Sequence, residues 1–258
     1  MEHYPQWKVF GNDSDLQNPF DTAVIMPTIG RKEIVRAIES VYAQRGVNRI
    51  QLLIGFDTST DEMNELADLL SRPPAHVTPC LFYPGYSTSV RHGGLHLAKD
   101  GGVLRCALTY LANSKFVSYL DDDNWWLDTH LSELLAAIDG YDWAFSLRWF
   151  VDPKTNKTIC IDDWESVGPN KGIFIRKFGG FVDPNCLMFN KLTCWECVAL
   201  WNFPLKRDVK GMSADRNIFN YLRNHSKPGE TGNPSVYYVL DPTDILHGQR
   251  LQKFAQGG

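Results

Sequence analysis

The sequence predicts an α/β fold with a mainly parallel central sheet, and three observations carry that prediction. Short apolar runs alternate with amphipathic segments of helical period through the first half of the chain. Two of the runs stop on acidic residues, at Asp57 and at Asp121, where ligands of parallel sheets are met. The 258 residues are 43% hydrophobic and 12% aromatic, enough apolar material for one large domain.

The elements follow in order. After a polar, irregular opening of 20 residues, Ala23-Val24-Ile25-Met26 reads as a buried strand stopped by Pro27. From Arg31 to about Gln44, Ile34, Val35, Ile38, Val41 and Tyr42 recur at helical spacing. A second strand, Gln51 to Phe56, ends at Asp57, and Ser59-Thr60-Asp61-Glu62 is a capping-box pattern opening a helix through Met63, Leu66, Ala67 and Leu70. A third strand around Cys80–Tyr83 ends in a Pro-Gly turn, and a helix is expected from about Val103 to Ala112. Lys115 to Leu120 is the next strand, ending in Asp121-Asp122-Asp123-Asn124, and Leu127, Leu131, Leu134, Leu135 and Ile138 mark the helix after it.

Beyond Gly140 the regularity weakens. Tyr141–Phe150 and Thr158–Ile161 flank the turn 152–156 as a hairpin, helices are expected near Leu192–Leu200 and Ala214–Leu222, and Val236–Leu240 is a late strand. Internal repeats, low-complexity tracts and linkers are absent from the sequence, so a single domain over 1–258 is expected, with 22–138 as the nucleotide-binding half and 139–258 as a more variable half.

Composition narrows the function. With 26 Lys+Arg against 30 Asp+Glu and a net charge of −4, a dedicated nucleic-acid binder is not expected. No apolar run approaches the roughly 20 residues of a membrane span, so no integral membrane segment is expected. The opening MEHYPQWKVF has neither a basic nor an apolar leader region, and six cysteines in a chain this long fit a reducing compartment, so the expected location is cytoplasmic.

The acidic strand end is the main chemical signal. In an extended segment residues two apart share a face, so Asp121 and Asp123 can point together. Paired carboxylates repel, a cost that a bound divalent cation removes, and hard oxygen donors favour Mg2+ or Mn2+ with positions left for water and phosphate. The competing reading is a solvated acidic turn with Asp128 or Thr129 capping the next helix.

Three segments in order, Val24-Ile25-Met26-Pro27-Thr28, Phe56-Asp57-Thr58-Ser59-Thr60-Asp61 and Tyr119-Leu120-Asp121-Asp122-Asp123-Asn124-Trp125-Trp126, resemble the family 2 glycosyltransferases of the GT-A fold. The family's forms are a strand running into Pro-Thr, a DDGSTD-like turn, and a FLDxDD-like strand end carrying the DxD motif. The match covers about residues 22–138 and departs in several places. Phe56 and Thr58 replace the first Asp and the Gly of the turn, and Asn124 replaces the last Asp of the strand end. Only Arg105 remains of an ARNxG-like stretch in Leu104-Arg105-Cys106-Ala107-Leu108, and the acceptor-side Glu-Asp reads Ala214-Asp215.

The resemblance implies a metal-dependent transfer of a sugar from a nucleotide-sugar donor to a hydroxyl of a saccharide or small-molecule acceptor, with inversion. By that resemblance Pro27 and Thr28 lie against the nucleoside, Asp57 accepts a hydrogen bond from the base, and Arg31 and Arg105 belong to the donor site. A carboxylate at Asp57 suits N3–H of uracil, so a UDP-sugar is expected. Asp121 contacts ribose or sugar, Asp123 holds Mn2+ or Mg2+ with Asp121, and Asp122, though counted among the donor-site residues, points away. His247 is a further metal ligand, and Asp215 is the general base, with Asp183 as a weaker alternative. Trp126 is expected near the site as a stacking ring, with Trp143, Trp149 and Trp164 in the core.

Two other functions fit the same residues less fully. A sugar-nucleotide nucleotidyltransferase would carry a Gly-rich basic loop after the first strand, where Pro27-Thr28-Ile29-Gly30-Arg31 has one glycine. A non-catalytic saccharide- or nucleotide-binding subunit would explain the reduced Arg105 and Asp215 motifs. Cys194-Trp195-Glu196-Cys197 lacks the second ligand pair of a structural zinc site, and His92 and His96 flank Gly93-Gly94, which disfavours a zinc-binding helix. Glycines at 85, 93, 94, 101 and 102 suggest a loop that closes over the nucleotide. Oligomeric state leaves no signal.

Overall fold

A computed structural model describes residues 7–11, 16–57, 63–206, 208 and 210–256. The capping-box segment Ser59-Thr60-Asp61-Glu62 and most of the DDGSTD-like turn lie outside the described residues.

A ten-stranded sheet runs through the molecule. Its parallel half consists of β2 (Phe20–Thr28), β3 (Ile50–Phe56), β4 (Val77–Phe82) and β5 (Ser114–Tyr119), with the short β1 (Trp7–Val9) antiparallel on the β4 edge. The second half adds β6 (Trp125–Trp126), β7 (Trp143–Val151), β8 (Thr158–Ile161), β11 (Leu187–Asn190) and β12 (Gly229–Val239). The order is β1-β4-β3-β2-β5-β11-β7-β12-β6, with β8 paired to β7 as the expected hairpin. A separate pair joins β9 (Gly168–Pro169) to β10 (Gly180–Phe181). Strands β2 and β3 are buried along nearly their whole length, as strands covered on both faces must be, which explains their unbroken apolar runs.

Helices α1 (Ile34–Tyr42), α2 (Met63–Leu70), α3 (Gly102–Leu111) and α4 (His130–Ala137) follow β2, β3, β4 and β6. The short α5 (Ile175–Phe178) and α6 (Trp195–Val198), then α7 (Ala214–His225) and α8 (His247–Gln256), complete the described chain. Gly55 on β3 meets α3 closely: a Cβ there would stand 2.9 Å from Leu108. No described helix is long and apolar enough to cross a membrane.

The elements depart from the sequence reading where tertiary context intervenes. Strand β2 continues through Pro27, which pairs in register with Gly55. Thr28 gives its carbonyl to the N–H of Asp57 on the β3 side, so Pro27 faces the β5 side, where pairing has already ended at Ile25–Tyr119 and no donor is required. Trp125 and Trp126, expected on the way into a helix, instead form a two-residue strand against Tyr237 and Val236. Trp126 is 3% exposed, stacks on His130 and donates its indole N–H to the Asn185 carbonyl at 2.9 Å, so it is a core residue, not a ring open to sugar.

A buried ionic lattice fastens the second half. Arg148 on β7 donates to Asp162 (2.8 Å), Asp183 (2.7 Å) and Glu165 (3.0 Å), and Arg250 on α8 donates twice to Glu165 at 2.7 Å. Burial alone would raise the Asp162 carboxyl, but Arg148 and the N–H groups of Glu165 and Ser166 hold it below the usual range. Cys186, Cys194 and Cys197 are buried, and burial pushes their thiols upward.

Candidate active site

The sheet order reverses direction at β2: β3 and β4 lie on one side of it and β5 on the other. Strand ends flanking such a reversal diverge and leave a crevice outside their carboxyl ends. Here that crevice is a cleft of about 350 Å3, reached by Pro27, Thr28 and Arg31 from the end of β2, Asp57 from β3, and Asp121, Asp122 and Asp123 from β5. The second half closes it with Asp183, Trp201, Asp215, Tyr238 and Asp241. Every site residue predicted from the sequence lines this cleft except His247 and the expected stacking ring Trp126.

Local backbone chemistry explains how the first wall forms. Gly30 donates its N–H to Thr28 Oγ1 (2.9 Å), and Thr28 donates its hydroxyl to Asp122 Oδ2 (2.6 Å), stitching the ends of β2 and β5 together. Asp122 is therefore turned inward, 4% exposed, and not away from the site as expected. Gly101 adopts φ +73° where the loop before α3 crosses β2, and a Cβ there would stand 2.7 Å from the Pro27 Cβ.

Asp57 is 4% exposed and well provided with donors. Its Oδ1 accepts from the Thr88 N–H (2.7 Å) and hydroxyl (2.5 Å), while Oδ2 accepts one weaker bond from Ser87 (3.2 Å). A carboxylate has about four acceptor positions, so among the described residues Oδ2 retains one for a ligand N–H.

The three acids that follow β5 are all paired with arginine. Arg31 Nη1 lies 3.3 Å from Asp122 Oδ1 and 2.6 Å from Asp123 Oδ2, and Arg105 is paired with Asp121 Oδ1. Burial would raise the Asp121 carboxyl, yet Arg105 and Asn185 hold it below the usual range. Asp123 keeps 39% of its side-chain surface open, but the surrounding protein mass and the charges of Asp121 and Asp122 push it up to about 7. Burial also raises Asp122.

The expected metal trio is not assembled. Asp121 faces Arg105 and Asn185, and His247, at the start of α8, does not line the cleft; Asp241, which does, has its carboxyl held low by the Thr243 N–H and then by Arg31 and His247. Among the described residues no group of three or more His, Cys, Asp or Glu side chains is arranged around a metal position. Asp122 and Asp123 do converge on one positive nitrogen, that of Arg31, and two hard carboxylates beside phosphate oxygens are a common Mg2+ donor set.

On the opposite half, Asp215 opens α7, and burial raises its carboxyl, with Arg216 opposing and Asp183 adding to the rise. Its Oδ1 is buried and has no hydrogen-bond partner among the described residues. Asp183 is committed elsewhere, to Arg148 and Asn185.

Sequence reasoning missed several cleft residues. Asp100, pushed up to about 7 chiefly by burial, precedes Gly101. Trp201 is 1% exposed with Arg105 5.0 Å from its ring centroid. Arg91 and Lys99 add positive charge to the cleft, His92 lines it as well, and Asn185, outside the lining, holds Asp121. The Lys99-Asp100-Gly101-Gly102 run before α3 was the available signal for two of them.

A parallel first half with its crevice at this reversal, acids past the β5 end and a mixed second half, in which β11 runs antiparallel to β5 and β7 while β12 runs parallel to β7, defines a GT-A-type nucleotide-sugar transferase fold. The chain belongs to glycosyl transferase family 2, whose model matches residues 23–193. It is 27% identical over 157 residues to the uncharacterized glycosyltransferase R139 of Acanthamoeba polyphaga mimivirus, covering 54% of this chain and 59% of that protein. Among solved structures, S. aureus TarS shares the fold with a TM-score of 0.60 at 16% identity, over 90% of this chain and 38% of that one. TarS 1-349 in complex with UDP-GlcNAc gives a TM-score of 0.62 at 14% identity, over 92% of this chain and 66% of that one. The chain thus spans well under two thirds of the curated relative and of full TarS.

Proposed function

We propose that this domain transfers a sugar from a UDP-sugar donor to a hydroxyl of a saccharide or small-molecule acceptor, with a divalent cation and with inversion at the anomeric carbon. The observation that carries the reading is the meeting, in one cleft, of Asp57 and the β5 acids from the parallel half with Asp215 from the other half. Family membership and the UDP and UDP-GlcNAc complexes of the structurally similar TarS 1-349 support the donor class.

In this reading the free acceptor position of Asp57 Oδ2 takes N3–H of uracil, with Ser87 and Thr88 holding the carboxylate still. Pro27 and Thr28 lie against the nucleoside, and Arg31, Arg91, Lys99 and Arg105 bring positive charge to the diphosphate. Asp122 and Asp123 would hold Mg2+ or Mn2+, with Asp121 beside them and His247 outside the cleft lining. A bound cation would offset charge on the diphosphate leaving group. Asp215 takes the acceptor hydroxyl proton as oxygen attacks, and its raised affinity for protons suits that work.

Thermal melts with UDP, other nucleotides and UDP-GlcNAc, each with and without Mn2+, test the donor reading. A UDP shift that needs Mn2+ and disappears in Asp123→Asn is the expected result. Absence of any nucleotide shift refutes it.

A further inference from the structure

We propose that Asn185 is a positioning residue of the donor site: its carboxamide sets the direction in which Asp121 faces and ties Asp121 through Asp183 to buried Arg148. The inference rests on the donor-site reading of the cleft.

Asn185 lies in the one-turn helix Pro184–Cys186 that leads into β11 and is 1% exposed. Its Oδ1 accepts the backbone N–H of Asp121 at 2.7 Å. Its Nδ2 donates both to Asp121 Oδ2 at 2.8 Å and to Asp183 Oδ1 at 2.7 Å. Only this orientation of the amide works. Reversed, it would set two N–H donors against each other at Asp121 and place an oxygen between two carboxylates.

One side chain thus holds both the backbone and the carboxylate of the second residue past β5. The other carboxylate oxygen of Asp121 belongs to Arg105. Asp183 cannot drift either, because its Oδ2 accepts from Arg148 at 2.7 Å and its Oδ1 also accepts the Asn185 N–H at 2.9 Å. Asp121 keeps 31% of its side-chain surface open to the cleft, so a donor would meet a carboxylate whose conformation is already set. Asn185 itself is not among the residues lining the cleft, which separates positioning from contact.

The test is calorimetric titration of UDP, with Mn2+ in the buffer, into the wild type, Asn185→Ala and Trp126→Phe, with the melting temperature of each recorded. Trp126→Phe is the structural control. It removes the 2.9 Å bond to the Asn185 carbonyl and leaves the carboxamide in place. The expected result is a UDP Kd raised about tenfold or more in Asn185→Ala, the size of a lost hydrogen bond to a charged group. Trp126→Phe is expected to stay within twofold of the wild type. If the alanine variant does not fold, Asn185→Ser, which keeps a small donor, carries the same comparison.

A UDP Kd within twofold of the wild type in the Asn185 variant overturns the inference alone. Equal weakening in both variants overturns it too, by showing a purely structural effect. A wild type that does not bind UDP overturns the donor-site reading and this inference together.

Discussion

Arg148→Met removes the one cation shared by Asp162, Asp183 and Glu165. The guanidinium makes three hydrogen bonds of 2.7–3.0 Å and lies 3.9 Å from the Tyr238 ring centroid, with its side chain 2% exposed. Methionine replaces much of the volume but no donor, so three carboxylates stay in the interior with fewer partners. Glu165 retains Arg250, and Asp162 and Asp183 retain backbone N–H donors, which places the loss within the range of a broken buried pair, about 3–5 kcal/mol. Against a total of about 5–15 kcal/mol this is severe, and at about 2–4 °C per kcal/mol it lowers the melting temperature by about 6–20 °C.

The pH dependence gives a second readout. In the wild type Asp162 titrates below the usual carboxylate range, so its contribution is present above that range and fades as pH falls through the lower folded value. Without Arg148, burial raises the same carboxyl. The cost of the substitution is then greatest near pH 7 and shrinks toward pH 4, as the orphaned acid takes up a proton. Urea unfolding of both proteins between pH 4 and 7.5 measures this. A loss under about 1 kcal/mol, or one that does not change with pH, would refute the claim that these carboxylates depend on Arg148.

Three further outcomes follow from the cleft. Asp215→Asn is expected to slow UDP release from a UDP-sugar in the presence of acceptor by about a hundredfold or more while UDP affinity stays within twofold; unchanged turnover would remove Asp215 as the base. Thr88→Val deletes the hydroxyl bonded at 2.5 Å to Asp57 but keeps the N–H bond, so UDP binding should weaken by about fivefold to tenfold, with adenine nucleotides unaffected in the same titration. Asp100, raised to about 7, gains its negative charge as pH rises through neutrality, so UDP affinity should fall between pH 6 and 8, and a variant Asp100→Asn should flatten that slope.

Much of the parallel half was legible because its residues report their own surroundings. A strand covered on both faces must be mostly apolar, and β2 carries the run 23–27 and β3 the run 52–56. The Asp57 and Asp121–Asp123 positions were readable for a related reason: acids directly after such a strand are carried to its carboxyl end. Pro27 misled because a proline's tolerance depends on which neighbour has stopped pairing, and nothing local to Pro27 records that β5 pairs no further than Ile25. Trp126 misled because a two-residue strand depends on a partner more than a hundred positions away.

By itself the sequence determined the fold class, the alternation of strands and helices in the first half, and the acids that would stand at strand ends. Those properties follow from periodicity and from residues a few positions apart. Tertiary structure alone decided which groups those acids meet. Arg31 reaches Asp122 and Asp123 across 91 and 92 positions of sequence, Asn185 reaches Asp121 across 64, and His247 lies outside the cleft lining instead of joining the acids past β5. Hydrogen bonds and ion pairs act over a few ångströms in space and carry no period along the chain, so their partners emerge only once the sheet order is set.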